Sequence, residues 1–325
     1  MANFILRAVR ELLVVKPSSL GDVVHGLRVV GSMKEEWPDL RVSWVVRDVF
    51  SPLVEACGVV DEVFVFRRGA GPLAYLSLMR RIRRKRFDCV FEMQGLLRSA
   101  LLAAAAKAPV KWGRSDGREG STLFYAKVAA PKYGRETHAV DVLLAFKDAV
   151  GLEPSLSGEL KFPGAKLSAE TESALEKVTQ GGGRSLVTLF PESRRAEKEW
   201  AGFTELAERL KARGGFALAW AGSRGGGGPQ LDGLANLSGK TSLEELPALV
   251  ERSAVVVTND SAPLHVASAL GRPLVSLFGP TDPRRFGPYP LDSPNARTLR
   301  GAGGKLSDLS AEVVEKAVLE LFDGV

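Results

Sequence analysis

Val255-Val256-Val257-Thr258-Asn259-Asp260-Ser261-Ala262-Pro263-Leu264-His265, running on to Gly279-Pro280-Thr281-Asp282-Pro283, is the stretch on which the fold turns. Three consecutive β-branched residues read as a strand buried on both faces, the mark of a parallel sheet. A polar turn follows, in which Asp260 or Ser261 can cap a helix over 263–271. Gly271 stops that helix, and 273–278 reads as the next strand. An acid, a hydroxyl and backbone N–H groups are thereby set at the carboxyl end of a parallel strand, facing a helix N-terminus. Phosphate groups and sugar hydroxyls bind at such places in open α/β sheets.

Outward from this stretch the same alternation repeats. Helix 168–178, strand 185–190, helix 203–212, strand 216–221, helix 242–251 and strand 254–258 lead into it, and helix 310–322 closes the chain. The first half runs as strand 12–16, helix 23–34, strand 42–46, helix 49–57, strand 62–66, helix 73–83, strand 88–92 and helix 97–106. Repeated strand–helix alternation predicts parallel sheets with helices on both faces. At 325 residues the chain is long for a single core, and a linker at 151–162, after helix 139–150, divides it. The predicted architecture is α/β, with two Rossmann-like doubly wound domains and a cleft between them, over 1–160 and 161–325. The terminal helix 310–322 is free to pack back on the N-terminal domain. Segment 112–138 breaks the rhythm, being polar, basic and glycine-bearing, and reads as a functional loop. The glycine-rich 222–228 follows a strand without a Walker lysine or a G-x-G-x-x-G spacing, and reads as a mobile loop.

The formal net charge is +6 and the pI about 9.3. The excess is concentrated at 67–68, 80–86 and 107–118, where it suits an anionic lipid or a phosphorylated substrate. Nucleic acid is disfavoured, because neither interleaved aromatics nor a helix-turn-helix pattern accompanies the basic residues. For Arg80–Arg86 a solvated helix face and a functional one remain open. No apolar stretch is long enough to span a bilayer. The first thirteen residues are interrupted by charge and lack a cleavage site, which points to a cytoplasmic protein. Cys57 and Cys89 sit in apolar runs and read as core, and three histidines without a Cys/His cluster argue against structural zinc.

Three stretches could carry chemistry. The first strand runs into Lys16-Pro17-Ser18-Ser19-Leu20-Gly21-Asp22, where Asp22 can cap the following helix or take a proton from a hydroxyl. After the first strand of the second half comes Phe190-Pro191-Glu192-Ser193-Arg194-Arg195-Ala196-Glu197-Lys198-Glu199-Trp200. Its hydroxyl, arginines and lysine ahead of a helix fit a diphosphate, or simply form a charged loop closed by Trp200. The third is the opening stretch, where Asp260 and Ser261 can meet sugar hydroxyls. His265 falls one helical turn after Ser261, either as a site group or as a satisfied core histidine.

The chain resembles the lipopolysaccharide heptosyltransferases of glycosyltransferase family 9, on the side of heptosyltransferase I. The likeness lies in VVKPSSLGDVVH, FEMQGLLRSALLA, GREGSTLFYAK, THAVDVLLAFKDAVG, EKEW, LSGKTSL and TNDSAPLHVASALGRPLVSLFGPTDP. It implies the two-domain GT-B fold and an inverting, metal-independent transfer of L-glycero-D-manno-heptose from its ADP derivative to the Kdo region of the inner core. It places Asp22 as the catalytic base. It sets Ser193, Arg194, Lys198, Thr241, Asp260, Ser261, Ala262 and His265 on the donor, and Ser19, Arg67, Arg68 and Arg118 on the acceptor, with segment 112–138 as an acceptor loop. The implied partners are a nucleotide sugar and Kdo-lipid A at the cytoplasmic face of the inner membrane, with no cofactor and no protein partner. Ala262 stands where many relatives have glycine, and 222–228 replaces a stretch where relatives often carry an acid for the ribose. Residues before Leu12 extend beyond the usual start. A related enzyme with another sugar, or a non-catalytic two-domain sugar binder, would share the fold.

Overall fold

The structure is a computed structural model, and it describes residues 9–131, 137–180, 183–225 and 227–322. Residues 1–8 of the amino-terminal extension, 132–136 of the predicted acceptor loop and Gly226 of the glycine-rich loop lie outside the described residues. The chain divides into two units after Gly164.

The first unit contains strands β1 (Glu11–Val15), β2 (Arg41–Arg47), β3 (Glu62–Phe66), β4 (Cys89–Glu92), β5 (Val110–Arg114) and β6 (Lys127–Ala129). Its helices are α1 (Leu20–Glu36), α2 (Ser51–Ala56), α3 (Gly71–Arg84), α4 (Leu97–Ala105) and α5 (Ala139–Ala149). The strands form a parallel sheet in the order β3-β2-β1-β4-β5-β6. Val14 lies opposite Trp44 on one side and Phe91 on the other. Leu12, Leu13, Val14 and Val15 are wholly buried, which is why the run carries no polar alternation. Each such side chain withdrawn from water contributes about 1.5–3 kcal/mol.

The second unit contains β7 (Ser185–Phe190), β8 (Phe216–Trp220), β9 (Leu234–Asn236), β10 (Val255–Asn259), β11 (Leu274–Phe278) and β12 (Ala296–Arg300). Its helices are α6 (Ala169–Thr179), α7 (Phe203–Arg213), α8 (Leu246–Arg252), α9 (Ala262–Ala269), α10 (Pro283–Phe286) and α11 (Ala311–Phe322). The sheet is again parallel, in the order β12-β11-β10-β7-β8-β9. Counted from β7, this is the order of the first sheet, and both are the Rossmann arrangement. Such a sheet has its switch point where the order reverses, between β1 and β4 in one unit and between β7 and β10 in the other.

Strands built on apolar runs fall within a residue or two of the sequence reading. Short strands β5, β6, β9 and β12 lie toward the sheet edges, where Lys111, Arg114, Lys127, Asn236 and Arg297 interrupt the apolar pattern. Segment 112–138 is therefore corrected from a single long loop: it holds the end of β5, a short 3-10 turn and β6. α11 buries Val314, Ala317, Val318 and Leu321 against α7 and strands β10 to β12 of its own unit. Its one apolar face is thereby used there. Cys57 and Cys89 are both buried and free. No helix among the described residues is long and apolar enough to cross a membrane.

Candidate functional site

At the switch point of the first unit, β1 ends and Lys16 follows, only 2% exposed. Ser19, rather than Asp22, is the N-cap of α1. Asp22 stands at the third helical position and reaches back, its Oδ2 accepting from the Ser19 amide (3.0 Å) and hydroxyl (2.7 Å). A carboxylate there also meets the positive end of the helix. Burial opposes ionisation of Asp22, yet the Lys16 ammonium, the Ser19 hydroxyl and His25 outweigh it and hold the carboxyl at about 2. Burial pushes the Lys16 ammonium down from its ordinary value, with Asp22 pulling the other way.

Glu92, at the end of β4, is wholly buried. Its carboxylate accepts from the amides of Gln94 (3.1 Å) and Gly95 (3.0 Å), and the turn that allows this puts Gly95 at φ +73°, a conformation that suits glycine. Burial pushes the Glu92 carboxyl up, against the Ser99 hydroxyl, these amides and Lys16. At the end of β5, Arg114 forks onto Asp116 at 2.8 and 2.7 Å. Lys16, Asp22, Glu92 and Arg114 thus form one electrostatic cluster at the carboxyl ends of β1, β4 and β5. The sequence reading named Asp22 alone of the four. Glu92 and Arg114 could have been found from a charge at the end of an apolar run, followed closely by Gly95 or Gly117.

A cavity of about 530 Å³ opens beside this cluster. Leu96, Leu97, Leu101 and Leu102 give it an apolar lining, and Arg47, Arg68 and Arg98 make it cationic. The Arg47 Nε is buried with no hydrogen-bond partner, an orphaned charged donor that an anion would satisfy. Of the predicted acceptor residues, Arg68 lines the cavity, whereas Arg67 is exposed and does not. Arg118 is exposed too, but its amide bonds to the Gly95 carbonyl at 2.8 Å, fixing its loop to the β4 turn.

In the second unit Lys198, on the short turn after β7, meets Asp260, which follows β10, at 2.5 Å. The Thr281 hydroxyl donates to the same Asp260 oxygen at 2.6 Å, and the Ser193 hydroxyl donates to the Asp260 carbonyl at 3.5 Å. Asn259 fastens the β7 loop further, accepting from the Trp200 amide (3.1 Å) and donating to the Pro191 carbonyl (2.6 Å). Ser261 is the N-cap residue of α9, its hydroxyl 3.1 Å from that of Thr258. Ala262 begins the helix and His265 lies one turn along it, half-buried. One Asp260 oxygen is therefore committed to holding Lys198 and Thr281, a use the sequence reading did not assign. The sequence reading did not single out Thr281, which joins the cluster through its bond to Asp260.

Arg194 is exposed on the same loop. Thr241 sits farther along the carboxyl edge, in the loop after β9, whose Gly239 amide bonds to the Gly222 carbonyl at 2.8 Å. The described part of the glycine-rich loop is tied to the loop after β7 at Ser223 and Arg224. Glu192 accepts from the Ser223 amide (2.8 Å) and hydroxyl (2.9 Å) and from the Arg224 amide (3.1 Å), and Arg224 also pairs with Glu199. Among the described residues no group of three His, Cys, Asp or Glu side chains is arranged to hold a metal ion.

Residues 75–318 match the model of glycosyltransferase family 9 (heptosyltransferase). The chain is 26% identical over 300 residues to the lipopolysaccharide core heptosyltransferase OpsX of Haemophilus influenzae, covering 87% of this chain and 82% of that one. It is 27% identical over 337 residues to lipopolysaccharide heptosyltransferase 1 of Escherichia coli, strain RS218, covering 95% and 97%. The structure of Escherichia coli heptosyltransferase WaaC with ADP superposes with a TM-score of 0.76 at 23% identity, covering 95% of this chain and 99% of that one.

Proposed function

This chain belongs to glycosyltransferase family 9, and from that premise we propose that it transfers heptose from ADP-L-glycero-D-manno-heptose to the Kdo region of a lipopolysaccharide inner core, with inversion. The observation that carries the reading is Asp22, an ionised carboxylate at the switch point of a Rossmann sheet, beside a cationic cavity. The relatives named heptosyltransferases, and the related structure holding ADP, support the sugar and the nucleotide.

In this mechanism the donor diphosphate lies on the second unit. Lys198, held by Asp260, and Arg194 balance the charge that develops on departing ADP, and the N-terminus of α9 adds its amide dipoles. With these cations on the diphosphate, the proposed transfer calls for no metal ion. The anomeric carbon passes through an oxocarbenium-like state while the acceptor hydroxyl attacks from the opposite face. Asp22 receives its proton. A carboxyl held at about 2 is a weak base, so the proton moves late, once bonding to the cationic carbon has acidified the hydroxyl. The acceptor's carboxylates are met by Arg68 and by the unsatisfied Arg47. The substrate being lipid-borne, the enzyme works at the cytoplasmic face of the inner membrane.

Mass spectrometry of the product from ADP-heptose and Kdo₂-lipid A tests the assignment. One heptose added, with the anomeric configuration reversed by NMR, is the expected result, and no addition sinks it. A different sugar is the second reading, favoured by Ala262 and by the way Glu192 ties down the 222–225 segment. A panel of nucleotide sugars at equal concentration separates the two.

A further inference from the structure

Helix α3 is attached to the protein by one narrow face. Leu78 and Ile82 are buried against Phe64, Phe66 and Phe87, with Tyr75 and Met79 packed alongside. Helical spacing puts Leu73, Leu76, Arg80, Arg83 and Arg84 on the opposite face. Leu73 is 80% exposed and Leu76 44%, and the three arginines are exposed as well. Other basic residues nearby have tasks in the fold. Lys85 pairs with Glu62, and Arg81 lies over the Phe64 ring at 5.6 Å. Among the described residues Arg80, Arg83 and Arg84 have no carboxylate partner. At 14 residues the helix is about 21 Å long, with leucines toward its start and cations toward its end. Further large apolar side chains are exposed in the connections leaving β2 and β5, Val49 at 51% and Leu123 at 85%.

We propose that the outward face of α3 docks in the headgroup region of an anionic lipid bilayer, with Leu73 and Leu76 in the acyl boundary and Arg80, Arg83 and Arg84 on lipid phosphates. Uncompensated arginines next to bare leucines on one helix face have the composition of an interfacial helix, and their charge complements an anionic surface rather than a neutral one. Tyr75 on α3 also lines the cationic cavity. Docking therefore sets the rim of that cavity at the lipid surface, a consequence that rests on the acceptor reading above, whereas the docking itself does not.

The test is flotation of the full-length protein with vesicles free of acceptor, made either of phosphatidylglycerol and phosphatidylethanolamine or of phosphatidylcholine alone. Binding to the anionic vesicles only, weakened by 0.5 M salt, is expected. Each arginine near such a surface is worth about fivefold in partitioning, so R80Q/R83Q/R84Q should bind about 100-fold more weakly. L73S/L76S should lose more than tenfold, on the order of the transfer of two leucines. Thermal unfolding at the wild-type midpoint confirms that these exposed changes leave the fold intact. Equal binding to phosphatidylcholine, no binding to either vesicle, or unchanged binding by either variant overturns the proposal. An acceptor-free assay keeps this result separate from the sugar assignment: failure to transfer heptose would strike the function and leave the docking standing.

Discussion

Each switch point carries one lysine and one aspartate, and the two pairs are turned opposite ways. In the first unit Lys16 is the deeper partner, 2% exposed, and Asp22 is half-buried. In the second the order reverses: the Asp260 side chain is 7% exposed and that of Lys198 16%. Lys16 holds Asp22 ionised, Asp260 holds Lys198 in an ion pair, and in the proposed mechanism the shallower member of each pair is the one that meets substrate. A shallow carboxylate suits a hydroxyl proton, and a shallow ammonium suits a phosphate. One fold used twice thus offers two chemistries through the burial order of the same two residue types.

Removing the shallow member should cost most. Asp22→Asn keeps shape and hydrogen bonding without basicity, and turnover should fall about 10²–10⁴-fold while KM for the donor holds. Near-normal single-turnover rates in that variant would dissolve the contrast between the units. Lys198→Ala removes the ammonium that the proposed mechanism sets on the leaving group, for an expected loss of about 10²–10³-fold in turnover. An effect confined to KM would place Lys198 in ground-state binding only. Arg47→Ala should raise KM for the acceptor about 10–100-fold, the scale of a hydrogen bond to a charged group, and leave donor KM alone. This limits the orphaned Arg47 to the first unit's ligand.

The smallest effect concerns the deep lysine. With Asp22 at about 2, its charge persists through the whole physiological range, so its titration produces no acid limb between pH 4 and 8. Its depressed pKa adds stability that is present above about pH 4 and lost as pH falls toward 2. In Lys16→Met the part of that stabilisation that Lys16 supplies is lost, and the Asp22 pKa rises toward its ordinary value, with Ser19 and His25 still lowering it. The acid limb of kcat/KM should then move upward, with only a modest loss at pH 7. An unmoved limb would show that Lys16 does not set the charge of Asp22.

The sequence carried the fold wherever burial on both faces of a strand erased polar alternation, as in Leu12–Val15 and Val255–Val257. It failed at β6, β9 and β12 because edge strands bury less and tolerate Lys127, Asn236 and Arg297. Asp22, Lys198 and Asp260 were legible because turns after central strands must hold polar residues, and ligands gather there. Glu92 and Arg47 were not. At Glu92 the charge closing an apolar run and the nearby Gly95 mark only a turn, Arg47 lacks even that, and the importance of both comes from neighbours distant in the chain.

What the amino-acid order determined by itself was local: strand, turn and helix, repeated, with each polar turn at a strand's carboxyl end. Which cation lies beneath which acid was decided only in three dimensions. Lys198 and Asp260 are 62 residues apart in the chain, and they meet because the strand order sets β7 beside β10. The depth at which each partner comes to rest depends on that packing, and depth and neighbours shift a group's ionisation from the value that its residue type alone would give.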